Sequence, residues 1–367
     1  MNRIPFRPRR GRPRPGKSAR SRPGNPGRPA LSAVFSLFMV LAAGWAGCSR
    51  LQSLQSYSFT EEHMGTDFNI LLYAADSTHA SHAARAAFDR VEELDQILST
   101  YKEGSELNRL SETAGSGDMM PLSESLFFIV CKAVQISGMT GGVFDMTTGP
   151  YIELWRIARR TGRTVPAEEL QAAGRRVGYD YIETDGKTRS VRLQQEGMVL
   201  DSGGIGKGYA VDEALSVLRG FGIESALVDG GGDISAADPP PGREGWEIGF
   251  SAADGGELIQ ARLMIANQSV ATSGDYYQFT DTGGVRYSHI IDPRTGLGVT
   301  GRNTVTLLAP DGLHADAFAT AVTIMGPAAA EQWISLIPDA EFQFVRKKDG
   351  IFESRTTPGF DRHVISN

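Results

Sequence analysis

Cysteine is almost missing from this chain: Cys48 and Cys131 are the only two among 367 residues. Two thiols cannot build a disulfide framework, and no Cys/His spacing typical of a zinc site occurs. Cys131 falls in the apolar helical stretch LFFIVCKAV, where it is expected as an inert core residue. Long apolar runs are equally scarce. Outside one segment near the N-terminus, no stretch reaches the ~18–20 apolar residues needed to span a bilayer. Acidic residues are absent from residues 1–47, which carry ten Arg and Lys side chains. The other 320 residues hold 27 Lys and Arg against 43 Asp and Glu, a net charge of −16. An acidic body of that size argues against nucleic acid as its partner, because attraction to phosphate needs a net or local basic surface. With 41% hydrophobic and 22% charged residues, the composition is globular, neither disordered nor fibrous.

What is present begins with an address. Residues 1–30 are dense in Arg, Pro and Gly, so no apolar face can form and a disordered basic arm is expected. Residues 31–47 are uncharged, mostly apolar, and end in small residues before Cys48. A basic segment followed by such a run is the layout of a secretory signal peptide. Ala46-Gly47-Cys48 resembles the lipobox of bacterial lipoproteins, whose cysteine is lipidated and becomes the first residue of the mature chain. Trp45 departs from the Leu usual in that motif, and a plain N-terminal membrane anchor is the alternative. The expectation is an exported lipoprotein, anchored to a membrane through lipid on Cys48 and facing the periplasm. Residues 49–56 then form a polar tether, and residues 57–360 the working domain.

Within that domain, Tyr57–Tyr73 reads as a strand, with Phe68, Ile70 and Leu72 alternating on one face. Asp76–Tyr101 reads as an amphipathic helix, its apolar face formed by Ala84, Phe88, Val91, Leu94 and Leu98. Further helices are predicted over Ser123–Ser137, from Thr164 onward, and over Gly206–Phe221, Leu313–Met325 and Ala328–Ile337, with short strands between them. The two element types mix without regular alternation. That order predicts an α+β fold with mostly antiparallel sheets and packed helices.

The densest motif is Val199–Asp212, VLDSGGIGKGYAVD, between an apolar strand and a helix. Gly203, Gly204, Gly206 and Gly208 allow a sharp turn and close ligand approach, and the following helix offers free N–H groups. Such a turn suits a phosphate or pyrophosphate, to which Lys207 adds charge. The motif fits neither of the two common phosphate loops, and a tight strand-to-helix turn with a solvated lysine remains open. In SHIIDPRTG, the Asp-Pro and Thr-Gly pairs predict a turn that holds His289 and Asp292 at the end of an extended segment. Asp316 and Thr320 lie one helical turn apart, so their oxygens share a face, as a hard cation such as Mg²⁺ requires; helix capping explains the pair equally well. Two glycine-rich segments, Thr140–Gly149 and Val228–Asp233, place further carboxylates beside flexible backbone.

In combination these segments resemble the ApbE family, the FAD:protein FMN transferases of bacteria. The resemblance runs in order from about Tyr57 to Glu353. It is carried by Met64-Gly65-Thr66, Ser99-Thr100-Tyr101 with Ser105–Asn108, Gly141–Asp145 with Gly149-Pro150 and Trp155, and Leu200-Asp201 through Lys207–Asp212. It continues in Gly231-Gly232-Asp233, Ala271–Gly274, His289–Pro293 with Thr295-Gly296, and Ala315-Asp316 with Thr320. The family implies two related α+β halves resembling the T-fold, with FAD between them. Carried over by position, Met64, Tyr101, Val143, Phe144, Asp145, Asp201, Lys207 and Ile291 match residues that line the FAD site. The Gly204 carbonyl, Asp316 and Thr320 match ligands of Mg²⁺; some members carry another acid where Ala319 stands.

The implied reaction moves the FMN moiety of FAD to a Thr or Ser hydroxyl of a partner protein and releases AMP. Flavin-carrying subunits of membrane redox complexes are the acceptors that the resemblance implies. His289 is the candidate base, with Asp292 orienting it or acting itself, since neutral imidazole accepts a proton near pH 7. Two other readings stand beside transfer: a pyrophosphatase splitting FAD into FMN and AMP, and a non-catalytic FAD-binding lipoprotein.

Overall fold

Two backbone positions set the first element of the fold. Met64 and Gly65 both take positive φ, 50° and 74°, the signature of a tight type I′ turn. The expected single strand over Tyr57–Tyr73 is therefore a hairpin, β1 (Gln55–His63) and β2 (Thr66–Ala74). A computed structural model describes residues 53–365, apart from 255–256, 275–278, 283 and 349. The basic arm, the apolar leader, Cys48 and the first part of the tether lie outside the described residues. The end of the predicted tether, Gln55 and Ser56, belongs to β1.

The chain continues through α1 (Ser77–Leu98), α2 (Glu106–Glu112), β3 (Met120–Pro121), α3 (Glu124–Met139), α4 (Gly149–Thr161) and α5 (Ala167–Gly174). Next come β4 (Ile182–Asp185), β5 (Ser190–Leu193), α6 (Gly206–Gly220), β6 (Ala226–Gly230), β7 (Asp233–Ala236), β8 (Trp246–Asp254), β9 (Glu257–Ile265) and β10 (Gln268–Gly274). The last part holds β11 (Phe279–Thr282), β12 (Val285–Ile291), β13 (Gly298–Thr300), β14 (Arg302–Ala309), α7 (Gly312–Met325), α8 (Pro327–Ile334), β15 (Glu341–Lys348) and β16 (Ile351–Thr356).

Eight strands form the main sheet in the order β1-β2-β6-β7-β10-β14-β15-β16, with every neighbouring pair antiparallel. This is the α+β class with antiparallel sheet that the element order predicted. The pleat of β2 shows why the sheet is covered on both faces. Phe68, Ile70 and Leu72 join a core with Val91, Leu94 and Leu98 of α1, Val211 of α6 and Phe318 of α7. Leu71 and Tyr73, pointing the other way, pack with Trp246, Phe250 and Leu263 of the β8–β9 hairpin. A third cluster of Tyr151, Trp155, Ala158, Val165, Ala173 and Ile291 joins α4 and α5 to β12 of the small β11-β12-β13 sheet.

Two local features place the functional loops. α1 is capped by Asp76, whose carboxylate accepts from the His79 amide at 2.9 Å. It stops at Leu98, short of the expected Tyr101, because Ser99 Oγ accepts from the amides of Tyr101 and Lys102, each at 3.2 Å, and pulls those residues into a turn. α6 and α7 cross where two glycines meet. A Cβ on Gly208 would lie 2.1 Å from the Gly312 carbonyl oxygen, and one on Gly312 would lie 2.5 Å from that of Gly208.

Among the described residues, no helix is long and apolar enough to cross a membrane. Cys131 is half-buried on α3 as a free thiol, pushed above its usual range by burial.

The crossing yields a stability prediction. Gly208→Ala must force α6 and α7 apart and should cost roughly 2–3 kcal/mol in urea unfolding. Gly220→Ala in the same helix meets nothing within 4 Å and should be neutral or stabilising by up to ~1 kcal/mol. Equal effects from the two variants would contradict the close crossing.

Candidate active site

Between the Ser99–Lys102 turn, the segment 143–148, the Asp201–Lys207 turn, α4, β12 and α7 lies a cavity of about 780 Å³. Met64, Tyr101, Val143, Phe144, Asp145 and Asp201 line it, although they are far apart in sequence. So do Gly204, Lys207, His289, Ile291, Asp316 and Thr320. Asp292 is the one predicted site residue outside this lining. A second cavity of about 310 Å³, beside α6 and the start of α7, is lined by none of the predicted site residues.

Tyr101 is 78% exposed, and one face of its ring is covered by the Arg156 guanidinium, 4.3 Å from the ring centre. Arg156 also donates to Thr100 Oγ1 at 3.2 Å and to Asp201 Oδ2 at 3.4 Å. One arginine on α4 thus ties together the aromatic platform and the start of the glycine-rich turn. Asp201 is raised in pKa by burial, opposed by the Gly203 amide and by the charges of Arg156 and His289. Its Oδ1 accepts from the Gly203 amide at 2.8 Å, which bends the chain into the turn. Asp145, also raised by burial, accepts from the Thr147 amide and hydroxyl and from the Tyr179 amide. Its carboxylate is a structural tie that leaves Val143 and Phe144 as the apolar floor.

The floor of the turn is tight. A Cβ on Gly204 would meet Thr320 Oγ1 at 3.0 Å and the Phe144 ring at 3.4 Å, so only glycine leaves its backbone beside the threonine hydroxyl without strain. Asp316, buried on the same helix, accepts from the Gly208 amide at 3.1 Å. Burial pushes its carboxyl above the usual range, and the charge of Lys207 opposes that shift. Lys207 itself is ion-paired with the buried Asp233 of β7. Among the described residues no group of three or more His, Cys, Asp or Glu could hold a metal. One carboxylate, one hydroxyl and one carbonyl are nevertheless a hard-oxygen donor set that fits Mg²⁺, which keeps waters and phosphate oxygens in its remaining positions.

Behind this wall, Asp212 fixes the start of α7. Its carboxylate accepts from the amides of Gly312 and Leu313 at 2.8 and 2.9 Å and from the Ser235 hydroxyl at 2.6 Å. Burial nonetheless pushes it up to about 6.

His289 stands exposed on β12 in the opposite wall. Asp292 lies beyond it in the turn, where Arg294 takes both carboxylate oxygens at 2.9 and 2.7 Å. Its backbone carbonyl accepts from the amides of Thr295 and Gly296. The acid expected to orient His289 or to act itself is thus engaged by the turn, and the carboxylate whose titration feels His289 is Asp201.

Sequence reasoning missed Arg156, and with it α4. The signals were present: Gly149-Pro150 opens the helix, Gly162 closes it in the left-handed conformation, and WRIARRTGR is a basic cluster in an acidic body.

A profile of the ApbE family matches residues 64–344. The FAD:protein FMN transferase of Vibrio cholerae is 31% identical over 77% of this chain and 84% of the relative. That of Treponema pallidum is 30% identical over 77% of this chain and 82% of the relative. Among solved structures, the flavinyl transferase ApbE of Pseudomonas stutzeri, in its apo form, superposes with a TM-score of 0.76 at 27% identity. It covers 85% of this chain and 98% of its own. The chain belongs to the ApbE family.

Asp212 supplies a pH prediction. A carboxyl held at about 6 when folded and near 4 when unfolded favours the folded state at low pH. That contribution falls away as pH rises through 6. Between pH 4 and pH 7, urea unfolding should show the parent losing about 2 kcal/mol relative to Asp212→Asn. A pH-independent difference would contradict it.

Proposed function

We propose that the chain transfers the FMN moiety of FAD to a Thr or Ser hydroxyl of a partner protein and releases AMP. The convergence of Tyr101, Asp201, Lys207, His289, Asp316 and Thr320 on one cavity large enough for a dinucleotide carries this reading. The names of the relatives, FAD:protein FMN transferase, support it. FAD is the substrate. The open face of Tyr101 would stack on one of its rings, and the Gly203–Gly208 turn with Lys207 would lie beside its pyrophosphate.

The Gly204 carbonyl, Asp316 and Thr320 would hold Mg²⁺. When bound, the ion supplies neutralisation of pyrophosphate charge and Lewis-acid help to the departing AMP. The acceptor oxygen attacks the phosphorus on the FMN side, forming a new P–O bond. The P–O bond to the bridging oxygen breaks, and AMP leaves with that oxygen and its electron pair. The hydroxyl proton passes to His289, whose exposure on the rim lets a partner's side chain reach it. Asp201, across the cavity, stabilises the imidazolium so formed, and Asp292 with Arg294 holds the turn that carries β12 into β13. Anchoring through lipid on Cys48 would set this chemistry on the periplasmic side of a membrane, beside flavin-carrying subunits of redox complexes.

The test is to incubate the protein with FAD, Mg²⁺ and an acceptor domain bearing a target threonine, following AMP and protein-bound flavin fluorescence. Both should appear together, and chelation of Mg²⁺ should stop both. AMP with free FMN would identify a hydrolase, and neither product a carrier. His289→Ala should slow transfer by about 10²–10⁴-fold with FAD affinity retained; an unchanged rate removes His289 as the base.

A further inference from the structure

Four arginines lie between residues 156 and 163, and the structure divides them into two kinds. Arg156 is held by Asp201, and Arg163 by both oxygens of Glu169 at 2.8 and 2.7 Å. Arg159 and Arg160, in the last turn of α4, have no hydrogen bond or ion pair to any described residue. Both are exposed, and Arg159 lines the mouth of the cavity. Ile157 beside them is 37% exposed. Most arginines elsewhere in the described chain have a carboxylate partner, as expected for a body with a net charge of −16. An uncompensated cationic pair at the entrance to a catalytic cavity is a local reversal of sign. Favourable interaction with the helix dipole explains a cation in the last turn of α4, but not why its neighbours are paired while these two are left open.

We propose that Arg159 and Arg160 form the docking lip for the acceptor protein, which presents carboxylates beside its acceptor hydroxyl. This inference rests on the transferase reading and names the partner's chemistry. An acidic partner is repelled by most of this surface and attracted at the lip, so the field favours one orientation at the cavity mouth before contact. α4 packs against β11 and β12, so a segment held at the end of α4 has its neighbouring residues beside the wall that carries His289. Surface ion pairs are individually weak and screened by salt. The lip therefore directs a rapidly exchanging partner, as an enzyme that modifies and releases a protein requires.

The experiment uses rhodamine-labelled peptides of one length, each with a central threonine flanked on both sides by Asp, Asn or Lys. Their binding to the whole protein with FAD present is followed by anisotropy. The Asp peptide should bind about tenfold tighter than the Asn peptide at low salt, and the advantage should shrink as salt rises. Arg159→Gln/Arg160→Gln should abolish the difference, and Arg159→Glu/Arg160→Glu should make the Lys peptide the preferred one. FAD affinity should stay within about twofold in both variants, with unfolding midpoints confirming that they remain folded. Equal binding of Asp and Asn peptides by the parent overturns the proposal. So does a large loss of FAD affinity with peptide preference unchanged, which would assign the pair to the dinucleotide. Release of AMP with bound flavin is scored separately, so a failure of the transferase reading shows there and a failure of the lip shows in anisotropy.

Discussion

The close crossing of α6 and α7 is the constraint on which the site depends. Two glycines let the helices touch backbone to backbone, and Asp212 of α6 then locks the register by accepting from the first amides of α7. The contact is direct in both directions, because the Gly208 amide returns a hydrogen bond to Asp316. The glycine-rich turn before α6 and the oxygen donors on α7 thereby become parts of one rigid object. Any side chain at Gly208 would push the glycine-rich turn away from Asp316 even if both helices survived. A buried carboxylate with an elevated pKa is a stability cost that this lock imposes, compensated by the packing of α6 and α7 in the main core.

That rigidity also answers how an acidic body can host an anion. Net charge sets the far field, but a pyrophosphate in a cavity responds to groups within a few ångströms. Lys207 does not act as an isolated charge there, because Asp233 holds it in place. The guanidinium of Arg156, tied down by Thr100 and Asp201, adds positive potential beside the turn. Asp201 and Asp316 are both raised by burial, and each faces a nearby cation, Arg156 for one and Lys207 for the other. The wall is thus a set of opposed charges held near balance, where a further cation or anion changes the local field strongly.

Much of this was legible in the sequence, and the failures have physical causes. Elements with strong apolar periodicity, such as α1, α6 and the strand carrying Phe68, Ile70 and Leu72, were read correctly because packing demands that period. The β1–β2 turn was hidden because Met64 adopts a left-handed conformation without the Asn or Asp that usually marks it. α4 was overlooked because its opening glycine and proline belong to a glycine-rich segment that reads as loop. The candidate residues came from motifs and the family resemblance, and neither points to their partners. Nothing local says that Lys207 meets Asp233 or that Arg156 covers Tyr101, since both contacts join elements distant in the chain.

Those partners also reveal that the cavity has two walls with separate foundations. Asp316, Thr320 and the Gly203–Gly208 turn sit on the main core, among Val211, Phe318 and the residues of α1. Arg156 and His289 sit on the smaller cluster of Tyr151, Trp155 and Ile291, where Trp155 packs tilted against Tyr287 with ring centres 5.0 Å apart and donates to the Gly296 carbonyl at 2.8 Å. Groups suited to holding the dinucleotide's charge therefore belong mainly to one wall, and those suited to receiving the acceptor and its proton to the other. In the proposed transfer each turnover consumes one FAD and one acceptor, and separate walls let each be exchanged without disturbing the groups that meet the other.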